Sequence, residues 1–216
     1  MSAPRAEERA FRRVLILLFA IQFLSWSAMF ALWICAVPFF AGQVLNVTLG
    51  ATDGMQAALI AVSLCFTTYA ALGALGGLAL PRMIGRVGHG AVYAAGLAVG
   101  ASGLFMLSQA QSPVLLVPAF IAIGLGWGVI GSLPYAILGK LAPAGRGARS
   151  MRLFSFSTVL PQAVTTLLYA LLAPRWIGAR LDLVLLLGAG AMGLAALVAV
   201  IGRDRFAAAD LTEDDW

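Results

Sequence analysis

The chain has 216 residues, of which 62% are hydrophobic and 11% charged, with a formal net charge of +5. A soluble domain carries about 25% charged residues, so this composition excludes an ordinary water-soluble globule. It points to an all-α polytopic membrane protein.

Cutting the chain at its charged and turn-rich points leaves six apolar stretches, near 14–41, 55–81, 90–108, 113–139, 151–173 and 181–202. Most reach the length of about 20 residues that crosses a hydrocarbon core of about 30 Å. Residues 1–13 mix Arg5, Glu7, Glu8, Arg9, Arg12 and Arg13 without apolar periodicity and read as a cytoplasmic lead-in. The apolar run that follows is far longer than a secretory h-region and has no clean cleavage site.

The first helix gathers Gln22, Ser25, Trp26, Met29 and Trp33 on one side by spacings of three, four and seven, with Pro38 near its outer end. Trp33 suits an interfacial anchor, but Trp26 falls near mid-depth, away from an aromatic belt. Gln22, Trp26 and Trp33 are therefore candidates for contact with a solute: indole faces stack on apolar ring surfaces, and an amide both donates and accepts. Cys35 and Cys65 lie inside predicted helices without metal-ligand spacing and behave as small apolar residues.

The stretch 42–54 is polar and lacks basic residues; its Asn46-Val47-Thr48 has the form of a glycosylation acceptor, and Asp53 with Gln56 has capping-box spacing. The second helix clusters Ser63, Thr67, Thr68 and Tyr69 at mid-depth and carries Gly73, Gly76 and Gly77 toward its inner end, where close helix packing explains them. His89, the one histidine, falls at a loop-to-helix junction and reads as a surface or junction residue. In the third helix Gly96, Gly100 and Gly103 form a small-residue seam.

The fourth and fifth helices hold the densest signal. Trp127, Gly131, Pro134 and Tyr135 share one face of the fourth, with Ser132 beside them. After a loop carrying Lys140, Arg146, Arg149 and Arg152, the fifth helix bears Ser155, Thr158 and Gln162 as a polar stripe, interrupted by Pro161. Polar groups at such depth must meet protein, water or a solute. Gly124-x-Gly126-x-Gly128 has no strand before it and is no phosphate loop. The sixth helix has no polar residue after Asp182 and reads as a peripheral scaffold, and 203–216 reads as an acidic, mobile cytoplasmic tail.

Gly124-x-Gly126-Trp127, Ser132-Leu-Pro-Tyr135-Ala, the basic loop, Phe154-Ser-Phe and Leu160-Pro161-Gln162 resemble the tenth and eleventh helices of the sucrose and maltose (glycoside-pentoside-hexuronide) branch of the major facilitator superfamily. The run Gln22 to Trp33 is similar to that branch's seventh helix, and 81–89, with Arg82, Gly85 and Arg86, to the short cytoplasmic loop of a half, with Pro81 in place of an acidic residue. An asparagine common in that branch is Ser155 here. The resemblance implies a C-terminal six-helix half. It also implies solute contacts at Gln22, Trp26, Trp33, Tyr69, Trp127, Ser132, Tyr135, Ser155, Thr158 and Gln162, and gating loops at Arg82, Arg86, Arg146 and Arg149.

With both ends cytoplasmic, twelve basic residues lie inside and only Arg175 and Arg180 outside. That asymmetry is a topology signal and leaves no basic face for nucleic acid. Acidic residues are confined to the tails and outer helix ends, and no nucleophile lies at usable spacing from a base. The expectation is a non-enzymatic half-transporter without cofactor or metal, in a bacterial inner membrane. It would pair with a second copy or a separately encoded first half and move a small polyhydroxyl solute such as a sugar. The alternative is a non-transporting membrane subunit that binds a lipid, a pigment or a larger complex.

Overall fold

The computed structural model describes residues 3–47, 52–142, 147–172 and 180–210. It consists of helices α1 (Ala3–Phe39), α2 (Thr52–Val87), α3 (His89–Ser108), α4 (Leu116–Leu141), α5 (Gly147–Leu172), α6 (Leu181–Ile201) and the short α7 (Arg203–Phe206). There is no strand among the described residues. The first six are long and apolar enough to cross a membrane, so the chain is an all-α polytopic membrane protein.

Three boundaries differ from the sequence reading. The charged lead-in is continuous with the first span, because α1 starts at Ala3. Ala, Glu and Arg are strong helix formers, and apolar periodicity alone overlooks them. At 37 residues α1 is about 55 Å long at 1.5 Å per residue, so its first turns extend beyond the hydrocarbon. It closes in a π-helical segment, Phe40–Val44, whose Phe40, Ala41 and Val44 are buried.

The second difference is at Pro81. An interior proline removes one helical hydrogen bond and strains the preceding turn, yet α2 runs through it to Val87. Leu80 and Ile84, on either side of Pro81, are both buried in the core, and this packing holds the helix past the proline. The expected loop shrinks to Gly88 alone, at φ +80°, a left-handed conformation that glycine adopts without penalty.

The third is the segment after α6. Residues 203–210 fold back against the bundle: Phe206 and Ala209 are fully buried, and Phe206 lies 6.3 Å from the ring of Tyr93. His89 is correspondingly a core residue with 1% of its surface exposed, paired with Asp210.

Helix α3 packs on α4 and α6, α1 on α6 and α5, and α2 on α4. The sixth helix is therefore central, contrary to its reading as a peripheral scaffold. Small residues make that possible, since a methyl group placed on Gly188 would meet the backbone of Ala28 at 3.4 Å. Small residues also draw α3 onto α4, where a methyl on Gly103 would meet the Ala119 carbonyl at 2.7 Å. Arg180 grips Asp182 in the first turn of α6 at 2.8 Å, and this hydrogen bond holds the guanidinium above its ordinary pKa range. Helices α2 and α5 are the least covered: 22% and 11% of their membrane windows are buried, against 50% for α4.

Candidate functional site

The i, i+4, i+7 spacing of Trp26, Phe30 and Trp33 puts three rings on one side of α1. Trp127 of α4 meets Trp26 at 5.3 Å and Trp33 at 5.6 Å, and Tyr69 of α2 meets Trp127 at 5.6 Å. Trp26 and Trp33 stand edge to face at 5.9 Å, the geometry that ring quadrupoles prefer. Four residues named from the sequence thus converge from three helices. Phe66 and Phe120 extend the cluster at 5.6 and 5.5 Å steps beyond Tyr69. The sequence reading missed them, although Phe66 stands at i−3 from Tyr69 on the same face.

The rings can meet because α2 and α4 approach without side chains between them. A methyl group on Gly128 would come within 2.6 Å of the Gly73 carbonyl oxygen, and one on Gly124 within 2.8 Å of the Tyr69 carbonyl. Such an approach tolerates only glycine. It also exposes the two backbones to each other along one seam, which ends where Ser132 lies over Gly77.

The three indoles remain partly exposed. Inside the cluster, Trp26 Nε1 is covered and has no hydrogen-bond partner among the described residues, and the covered Tyr69 hydroxyl lies beside Trp33. Buried polar groups are nearly always paired, so a covered indole N–H without a partner among the described residues marks the cluster out.

Gln22 does not belong to this wall. It is fully buried, where its amide nitrogen donates to the Ile130 carbonyl and its oxygen accepts from the Tyr93 hydroxyl, both at 3.4 Å. With α1 in this rotation Gln22, named from the sequence as a candidate solute contact, points toward α3 and α4, and the buried Ser25 donates to the Gln22 carbonyl at 3.2 Å.

The stripe on α4 and α5 is open. Ser132 and Ser155 are exposed, Thr158, Gln162 and Tyr135 are partly exposed, and Tyr135 meets Phe154 edge to face at 5.3 Å. The hydroxyls cost little there, because Ser155 donates to the Met151 carbonyl at 3.0 Å and Thr158 to that of Ser155 at 2.8 Å. Ser63 and Thr67 of α2 do the same toward Leu59 and Ser63, each at 2.8 Å. On α5 the expected penalty for an uncovered stripe therefore falls on Gln162, whose amide has no hydrogen bond among the described residues. The position is on the least covered helix.

Arg82 and Arg86 are exposed on the last turns of α2, and Arg149 on the first turn of α5. Arg146 lies outside the described residues, as do Thr48, Arg175 and the side chain of Asp53. Asn46 is exposed with a left-handed φ of 51° at the end of the π-helical turn. Two cavities lie away from the aromatic cluster, one of about 250 Å³ between α1, α5 and α6 and one of about 390 Å³ beside the chain ends. Among the described residues no three His, Cys, Asp or Glu side chains converge on a point that would hold a metal ion.

Comparison with protein-family models and with curated proteins yields no match for this chain. Its functional reading therefore rests on its own residues.

Proposed function

We infer that the chain is one half of a membrane transporter, resembling the C-terminal half of a major facilitator protein, and works with a second six-helix half against the face formed by α4 and α5. The observation that carries this reading is the open polar flank: Ser132 and Ser155 exposed, and the Gln162 amide unpaired among the described residues, on membrane-spanning helices. An amide facing hydrocarbon costs a few kcal/mol unless something meets it. A second half, the water between two halves, or a solute would do so. Parallel halves bind solute at mid-depth between them, and two copies are related by a two-fold axis along the membrane normal.

The aromatic wall of Trp26, Trp33, Tyr69 and Trp127 supports a solute with both an apolar face and hydroxyls, such as a sugar. The covered Trp26 Nε1 is a donor available to it, and rocking of one half on the other alternates access to the wall. The basic inner loops then face the cytoplasm of a bacterial cell.

The test is uptake of candidate sugars into vesicles holding this chain alone or with a candidate first half, repeated with Trp127→Ala and Gln162→Ala. Uptake by the wild type and its loss in both variants is expected. A stable monomer in nanodiscs, with no uptake under either condition, would overturn the reading. The rival is a non-transporting subunit seated on the same flank, favoured by the apolar side chains Phe156, Val159 and Leu160 that α5 leaves exposed around it. Co-purification with a larger membrane complex, without uptake, would select it.

A further inference from the structure

At one end of the bundle the first turns of α1, the end of α4 and α7 border an open recess of about 390 Å³. Phe11, Arg13 and Val14 of α1 form one wall, Leu141 at the end of α4 another, and Asp204 and Arg205 of α7 the third. We propose that this recess binds the headgroup of an anionic, hydroxyl-bearing phospholipid such as phosphatidylglycerol.

The recess is held in shape from behind. Phe206, next to Arg205, is buried in the core beside Tyr93. Asp210 accepts from the His89 backbone N–H at 2.9 Å, and Lys140 Nζ reaches the Ala209 carbonyl at 3.5 Å. Arg205 therefore stands on an anchored turn.

Its chemistry is amphipathic. Phe11, Val14 and Leu141 supply an apolar floor, while Arg13 and Arg205 present guanidinium groups that form no ion pair among the described residues. Two guanidiniums match the oxygens of one phosphodiester through charge-assisted hydrogen bonds. The Asp204 carboxylate repels a bare phosphate but accepts from a headgroup hydroxyl, and this favours a glycerol headgroup over inorganic phosphate.

Depth agrees. Val14 opens the continuous apolar run of α1, and Ile201 closes that of α6 two residues before Arg203. The recess thus lies at the edge of the hydrocarbon, where lipid phosphates reside. Basic pockets at this level between spans are suited to anionic headgroups.

The experiment reconstitutes the full chain in nanodiscs of mixed phosphatidylcholine and phosphatidylglycerol and measures the lipid retained by native mass spectrometry. The wild type is expected to retain phosphatidylglycerol selectively. R13Q/R205Q should lose that selectivity by about tenfold or more, whereas R9Q/R12Q, which removes equal charge from exposed positions on the same helix, should keep it. Leu141→Trp fills the recess with every charge in place and should cause the same loss, so a folding defect in the double variant leaves the proposal open to refutation. Equal retention in all variants, or equal loss in R9Q/R12Q, overturns it. Displacement of the lipid by millimolar inorganic phosphate would assign the site to free phosphate and overturn the lipid reading.

Discussion

The Asp210 carboxylate accepts a hydrogen bond from the backbone N–H of His89 at 2.9 Å and also meets Nδ1 of the same residue, 121 positions away in sequence. One side chain thereby caps the first turn of α3 and clasps the segment after α6 to it. A carboxylate is suited to that end of a helix, where N–H groups are left over and the dipole is positive.

Asp210→Ala is expected to lower stability by about 1–3 kcal/mol, the cost of leaving a buried partner unsatisfied. Thermal unfolding in detergent and limited proteolysis after Phe206 would both report it. His89→Ala should give a similar loss, and the double variant little more than either single one, because both remove the same contact. Additive losses would show that the two residues act separately.

Two glycines of α4 provide an internally controlled pair. Gly128→Ala drives a methyl group to 2.6 Å from the Gly73 carbonyl, while Gly131→Ala meets nothing within 4 Å. The first should cost about 1–3 kcal/mol by overpacking. The second should be neutral or stabilising by up to about 1 kcal/mol from helix propensity. Comparison of their thermal midpoints decides it, and a shared loss would rule out the seam as the cause.

Gln22 and Gln162 separate fold from function. Gln22→Leu removes the buried acceptor of Tyr93 and should destabilise the bundle by about 1–3 kcal/mol. Gln162→Leu removes an unpaired amide and should leave the stability of an isolated bundle unchanged or raised, while reducing solute uptake. Unfolding and uptake measured on both variants would show the split.

Trp127 is the hub at which Trp26, Trp33 and Tyr69 meet. Trp127→Phe should keep much of the packing but alter the coupled indole emission, so a solute that enters the cluster will change fluorescence in the wild type and less in the variant. Trp127→Ala should cost about 3–5 kcal/mol as a large-to-small change, a cost moderated by its partial exposure.

The helical spans were legible in composition, and the aromatic cluster in spacing, because Trp26 and Trp33 share a face whatever surrounds it. Which neighbour covers that face was not legible. Gln22 and Trp26 are one turn apart, yet the first is fully buried while the second stays partly exposed; the rotation that separates them is set by Tyr93 and Ile130 on other helices. Pro81 misled for a related reason, since a local rule for helix breaking knows nothing of Leu80 and Ile84 in the core. The docked turn at 203–210 is too short to show periodicity, and its anchor, Asp210, stands among acidic residues that read as solvated.

Arg13 near the beginning of the chain and Arg205 near its end border one recess, so the polypeptide enters and leaves the bundle at neighbouring points. A tether between two copies would run along a single leaflet and never thread the bilayer. If two copies form the proposed pair, head-to-tail concatenation would suit this architecture and would set one altered flank against one intact flank in a single polypeptide.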